Sequence, residues 1–168
     1  MIVDLIRLIL FPALMAFAAT SDLLTMTISN RVPLILAGGF FGLAFVADLN
    51  AIAILSHMAA ACVVLLVSFG FFTRGWIGGG DAKLAAVTAL WLGFDHLLAY
   101  LVYASLLGGA LTLALIQFRL VPLPAALARQ QWLERLHRRE TGVPYGIALA
   151  AAALAVYPQT EWMTAIGI

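Results

Sequence analysis

The sequence predicts an all-α fold, a polytopic membrane helical bundle of about six transmembrane helices with a short interfacial amphipathic helix. Three observations carry this. The 168 residues are 64% hydrophobic and only 10% charged, with a mean hydropathy of +1.07, more apolar surface than a soluble domain of this size can hide. The apolar residues fall into six runs divided by polar or turn-forming breaks. In lipid, each backbone N–H and C=O needs a partner within its own segment, so each run should be helical.

A bilayer core of ~30 Å takes about 20 helical residues. The expected spans are Ile2–Thr20, Val32–Leu49, Ile52–Phe72, Asp81–Phe94, Leu97–Phe118 and Val143–Tyr157. The first should be retained: Ala16-Phe17-Ala18 looks like a cleavage site, but no basic segment precedes it. Ser29-Asn30-Arg31, Asp48-Leu49-Asn50 and Thr73-Arg74-Gly75 mark the next breaks. Gly93-Phe94-Asp95-His96 divides the fourth span from the fifth, because residues 82–118 as one helix are far too long for one crossing. The fourth span is short: Asp81 to His96 is 16 residues, about 24 Å of helix. Asp81 is therefore expected to start below the inner surface. Gly78, Gly79 and Gly80 should form a re-entrant, close-packed loop in front of it.

No internal repeat divides the chain, so residues 1–168 read as a single membrane-embedded domain. Residues 119–141 form its one long loop, cytoplasmic and basic. Leu123, Ala126, Leu127, Trp132, Leu133 and Leu136 alternate there with Arg129, Arg135, Arg138 and Arg139. That pattern fits a helix lying on the inner leaflet as a lipid anchor.

Charge orients the bundle. With six spans, one set of loops holds Arg31, Arg74, Lys83, Arg119, Arg129, Arg135, Arg138 and Arg139, eight of the nine basic residues. The other side keeps Arg7 with Asp48, Asp95 and Glu161. The positive-inside rule makes the basic loops cytoplasmic and both termini external, as expected for a bacterial inner-membrane protein. Net charge is only +1 and no long basic run occurs, so nucleic acid is not an expected partner. The one cysteine, Cys62, allows neither an internal disulfide nor a four-cysteine zinc site.

Two aspartates at the cytoplasmic boundaries stand out, Asp22 after the first span and Asp81 at the start of the fourth. Asp81 reads equally as a helix N-cap and as a functional carboxylate. Asp22 follows a helix C-terminus, where its charge opposes the dipole; it caps a short turn or faces water. The pair says more than either member. Two carboxylates brought close do not both ionise easily, so one keeps a proton while the other is a base. Such a pair suits peptide hydrolysis: the base takes a proton from water and the acid donates to the scissile carbonyl or leaving amine. Gly78 and Gly80, without side chains, let a loop approach an extended substrate. Lys83 lies one turn in, biasing the local field or snorkelling to lipid phosphates. No cofactor or metal is implied: there is no His-Glu-x-x-His helix, no Gly-x-Ser-x-Gly elbow and no phosphate-binding loop. His57, His96 and His137 are dispersed.

Gly78-x-Gly80-Asp81-x-Lys83-Leu84 resembles the Gly-x-Gly-Asp signature of the membrane aspartic proteases, and within these the type IV prepilin peptidase family. Asp22 before Ile28-Ser29-Asn30 resembles that family's other aspartate, which stands a few residues before Ile-Pro-Asn. Gly142-Val143-Pro144-Tyr145-Gly146 resembles the start of its last helix. The resemblance implies a leader peptidase that cuts a short basic leader from type IV pilin-like precursors at the cytoplasmic membrane face, typically after a glycine. It implies catalysis by Asp22 and Asp81, with Gly78, Gly80, Lys83 and Asn30 in the substrate loops. The small size is similar to the CpaA/TadV-type branch serving Flp-type pili of tight-adherence systems. Ser29 departs from the family's proline, although Pro33 follows. Larger members carry a cysteine tetrad and also N-methylate the pilin; with one cysteine here, that activity is not expected. Two other readings stand beside this one. In a proton- or ion-coupled transporter the carboxylates would be a relay. In a non-catalytic platform of a pilus or secretion assembly, Asp81 would be only a cap.

Overall fold

The structure, a computed structural model, describes residues 1–124, 127 and 129–164. All regular structure among them is helical: α1 (Ile2–Thr25), α2 (Arg31–Val46), α3 (Ala51–Thr73), α4 (Gly79–Leu120), α5 (Gln131–His137), α6 (Tyr145–Val156), a 3₁₀ turn (Tyr157–Gln159) and α7 (Glu161–Thr164). The all-α bundle expected from the sequence is the fold.

α1, α3 and α4 are each long and apolar enough to cross a membrane, and α2 and residues Tyr145–Gln159 are shorter apolar helices. Large apolar side chains point away from the core, with Phe45 84% and Leu98 73% exposed. Water would penalise that surface and lipid does not, so this is a membrane protein.

α1 buries Phe11, Met15, Ala18 and Asp22. Their spacing of four, three and four residues draws one stripe down one helix face, and the stripe ends on a carboxylate. α1 does not stop at Thr20, as the sequence led us to expect, but runs to Thr25. It closes on Met26 in the left-handed region (φ 55°). Asp22 thus lies inside its last turn and not beyond it.

α4 contains the expected break. At 42 residues a straight helix would be ~63 Å long, but Gly93 leaves the helical region with φ 63°. The chain doubles back there. Early in α4, Lys83 meets Asn30, Thr88 meets Met15 and Trp91 meets Leu36; late in α4, Thr112 meets Tyr145 and Arg119 meets Gly142. Both ends of α4 therefore lie at the Asp22 end of the bundle. The turn exposes carbonyls that the broken helix no longer caps. The His57 ring, through Nδ1, bonds the Leu90 carbonyl at 2.7 Å, and Trp162 Nε1–H donates to the Trp91 carbonyl at 2.8 Å, which satisfies two acceptors that burial would otherwise penalise.

The core around this turn is aromatic. The Trp91 ring lies 5.1 Å from Phe11 and 5.5 Å from Trp162, and Phe11 stacks on Tyr157 at 4.5 Å. Trp91 Nε1–H donates to the Leu36 carbonyl. This cluster holds α1, α2, α4 and the C-terminal turns together at the end remote from Asp22.

In the basic loop Gln131–His137 is helical; Ala126 of the predicted amphipathic pattern lies outside the described residues. The loop is tied to the bundle: Leu136 is buried, Arg119 donates to the Leu136 and Gly142 carbonyls, and Arg135 donates to the Leu24 carbonyl at 3.0 Å.

Candidate active site

The carboxylate at the end of the α1 stripe is 5% exposed. Asp22 Oδ2 accepts the Gly146 N–H at 2.7 Å. Gly146 lies in the first turn of α6, whose leading N–H groups have no intrahelical partner. A negative charge at the C-terminus of α1 opposes that helix's dipole, but the tertiary fold places it at the N-terminus of α6, where the dipole favours it. The sequence reading of Asp22 as a turn cap or a water-facing loop residue is corrected accordingly: it is buried and bonded across 124 residues of chain.

Asp81 is not the N-cap of α4. Gly78 holds that position in extended backbone, and Gly79 and Gly80 are already helical. The re-entrant three-glycine loop is therefore shorter than expected, because glycine is tolerated in a first turn that tertiary contacts hold. Asp81 sits one residue further in and turns back over the helix start. Its Oδ2 is 3.0 Å from where a Gly78 Cβ would lie, so a side chain at Gly78 would push the carboxylate aside by a few tenths of an ångström. Asp81 too meets the positive end of a helix.

The two carboxylates line one cavity of about 260 Å³ with Met26, Thr27, Ile28 and Gly78–Gly80. A neighbouring space of about 370 Å³ also touches both, and is walled by Trp76, Gly142, Val143 and Tyr145. Two acids facing one space with room for a water and a peptide group are the equipment for general acid–base attack on a bound carbonyl.

Small residues set the spacing. A Cβ on Gly146 would lie 2.7 Å from Asp22 Oδ2 and 2.8 Å from Ile28 Cδ1, and a Cβ on Gly80 would lie 3.1 Å from Ile28 Cβ. One side chain, Ile28, thus rests on both glycine helix starts and fixes how near α4 and α6 come. Gly108 lets the Tyr145 ring approach α4; a Cβ there would meet it at 3.3 Å. The Tyr145 hydroxyl lies 3.1 Å from Thr112 Oγ1.

Of the other residues singled out from sequence, Gly78 and Gly80 line the carboxylate cavity. Lys83 and Asn30 meet each other, Nζ to Oδ1 at 2.8 Å, but they line a different cavity between α2, α3 and α4. Ser29, which replaces the expected proline, accepts the Arg31 N–H at 3.3 Å and starts α2 by a side-chain turn. Gly146, Ile28, Trp76 and Tyr145 were not singled out as site residues. Gly146 carried a signal, a glycine two residues after Pro144 at a helix start; Ile28 and Trp76 look like ordinary apolar loop residues.

Fold and site together define a membrane protein with a paired-carboxylate centre at one end of its helical bundle. The type IV leader peptidase family model matches residues 9–113, most of the chain and both carboxylates, and the chain belongs to that family. It is a peptidase of the type IV leader peptidase kind. No curated protein and no solved structure matches the chain.

Proposed function

We propose that this peptidase is an aspartic endopeptidase that removes the basic leader of type IV prepilin-like precursors, of the Flp type, at the cytoplasmic face of the bacterial inner membrane. One observation carries the reading: Asp22 from α1 and Asp81 from α4 line the same cavity. Each lies at a helix start against a glycine, Asp22 beside Gly146 and Asp81 beside Gly78, where an added Cβ would crowd the carboxylate. The pair titrates as a unit, sharing one proton. The ionised member takes a proton from water as it attacks the carbonyl, and the protonated member donates to the carbonyl oxygen and then the departing amine. No step calls for a methyl donor, and methyl transfer is not part of this reading.

The proposed topology has six crossings, with α4 supplying two by its reversal at Gly93, and both termini outside. Its support is the charge distribution. Arg31, Arg74, Lys83, Arg119 and Arg135 all belong to segments at the carboxylate end, and Arg7 lies at the other.

Co-expression with a candidate prepilin, in a strain without other leader peptidases, tests the reading by the size shift on leader loss. Asp22→Asn and Asp81→Asn should each lower processing by at least about 100-fold while the protein still inserts. Asparagine keeps an oxygen that can accept the Gly146 N–H, so folding survives. Normal processing by either variant would falsify the proposal.

A further inference from the structure

A third cavity, of about 490 Å³, opens between α2, α3 and α4. Asn30 and Lys83 line its polar end, joined by their 2.8 Å hydrogen bond. Every other lining residue is apolar, Ala37, Cys62, Ala86 and Leu90 among them. Lys83 to Leu90 is two turns of helix, or ~10 Å of groove. The small side chains of Ala37, Cys62 and Ala86 allow a second helix to come close, as small residues do in helix contacts within lipid. Leu34 and Leu65 on the rim are exposed, so the groove is open from the side.

This groove continues the carboxylate site. Thr27, Ile28, Gly80 and Asp81 line the carboxylate cavity; Asn30 and Lys83, two residues further along each strand of chain, line the groove. Polarity changes along that path, from two carboxylates to one cation and then to a wholly apolar wall. Lys83 has no acidic partner within 4 Å among the described residues. It repels a basic segment from the groove, while Asp22 and Asp81 attract one to their own side. An occupant that lies across both spaces must be basic at the carboxylates and apolar beyond Lys83.

We infer that the groove seats an apolar segment of the substrate, on the far side of the scissile bond from the basic leader. It holds that segment as a helix beside α4, so that the bond at its polar end reaches Asp22 and Asp81. This rests on the peptidase reading and adds what positions the substrate. The energetic logic is that of catalysis by placement: binding remote from the reacting bond holds that bond at the acids.

Cys62 is the chain's only cysteine and is exposed in the groove, which makes it a native probe. The substrate probe is a synthetic precursor with a short basic leader, a glycine and an apolar segment of about 20 residues. It carries one cysteine, moved position by position along that segment. Asp22→Asn protein is reconstituted with it in phosphatidylethanolamine–phosphatidylglycerol vesicles and oxidised. Disulfides to Cys62 are expected at positions three or four residues apart, within the first turns after the glycine, and none with Cys62→Ala. On the active protein, a bulky maleimide at Cys62 should lower kcat/KM for the anchored precursor about tenfold, through KM, relative to a precursor truncated after the glycine's first few residues.

Leader removal without any Cys62 crosslink overturns the groove and leaves the peptidase reading standing. Crosslinking of Cys62 to a thiol-bearing phospholipid but never to the precursor assigns the groove to lipid and overturns it as well. Periodic crosslinks in a protein whose leader removal survives both Asp→Asn changes support the groove and sink the carboxylate chemistry instead.

Discussion

Asp22 is costly where the sequence puts it and favourable where the fold puts it. A carboxylate at a helix C-terminus loses on the order of 0.3–1 kcal/mol to the dipole. The Gly146 N–H at 2.7 Å returns a charge-assisted bond worth roughly 1.5–3 kcal/mol, more than the loss. That bond needs Gly146 to stay glycine. Gly146→Ala puts a methyl 2.7 Å from Asp22 Oδ2 and 2.8 Å from Ile28 Cδ1, so the carboxylate must move. Overpacking of this kind costs about 1–3 kcal/mol, seen as a lower unfolding temperature in detergent. Leader removal should fall further than stability does, because a displacement of ~1 Å costs on the order of 100-fold in rate. Ile28→Val in the same background removes the Cδ1 contact and leaves the one to Asp22, so it should restore part of the activity; no recovery would mean that the contact with Asp22 alone accounts for the loss.

At the scale of an element, α4 owes its two halves to one residue. Gly93 adopts φ 63°, and a Cβ there would meet His57 Cε1 at 2.9 Å. Gly93→Ala therefore pays twice, about 1–3 kcal/mol for a backbone conformation (φ 63°, ψ −178°) that essentially only glycine adopts and a further amount for displacing a ring that caps the Leu90 carbonyl. Thermal unfolding in detergent should fall by the sum. His57→Ala should also destabilise, since it leaves the buried carbonyl of Leu90 without a donor, about 1–3 kcal/mol. Because His57→Ala removes the ring that the methyl of Gly93→Ala strikes, the double variant Gly93→Ala/His57→Ala should be more stable than the two single effects added together, and additive or larger loss would mean that the steric coupling between them is wrong.

The whole molecule has two unlike ends. The carboxylate end gathers arginines that donate to backbone carbonyls, such as Arg119 to Gly142 and Arg135 to Leu24. The other end holds the Met1–Asp4 ion pair and the aromatic packing around Trp91. Under the proposed topology the first end is cytoplasmic. Single cysteines at Gln130 and Asp95, each in a Cys62→Ala background, test it with a membrane-impermeant maleimide. Gln130→Cys should label only in inverted membrane vesicles, and Asp95→Cys only in right-side-out spheroplasts. The reverse pattern would put the carboxylates on the wrong side for a cytoplasmic leader.

From the sequence alone came the helical class, the break at Gly93, the two aspartates and the glycines beside Asp81. These are properties of single segments: length of apolar run, a residue free to take positive φ, a charge in an apolar setting. The helix ends were less legible. Asp22 looked like a loop residue because Ser21 and Asp22 are poor helix interior residues, yet its place on the Phe11–Met15–Ala18 stripe was there to read. Gly146 and Ile28 could not be assigned roles from sequence, because a contact across 124 residues leaves no periodic trace. Only the tertiary structure decided that the N-terminus of α6 meets Asp22, that Asp81 turns back over Gly78, and that both acids share one cavity. It also separated Lys83 and Asn30 from that cavity. Local propensity acts within a segment, but the placing of one carboxylate against another depends on how segments pack.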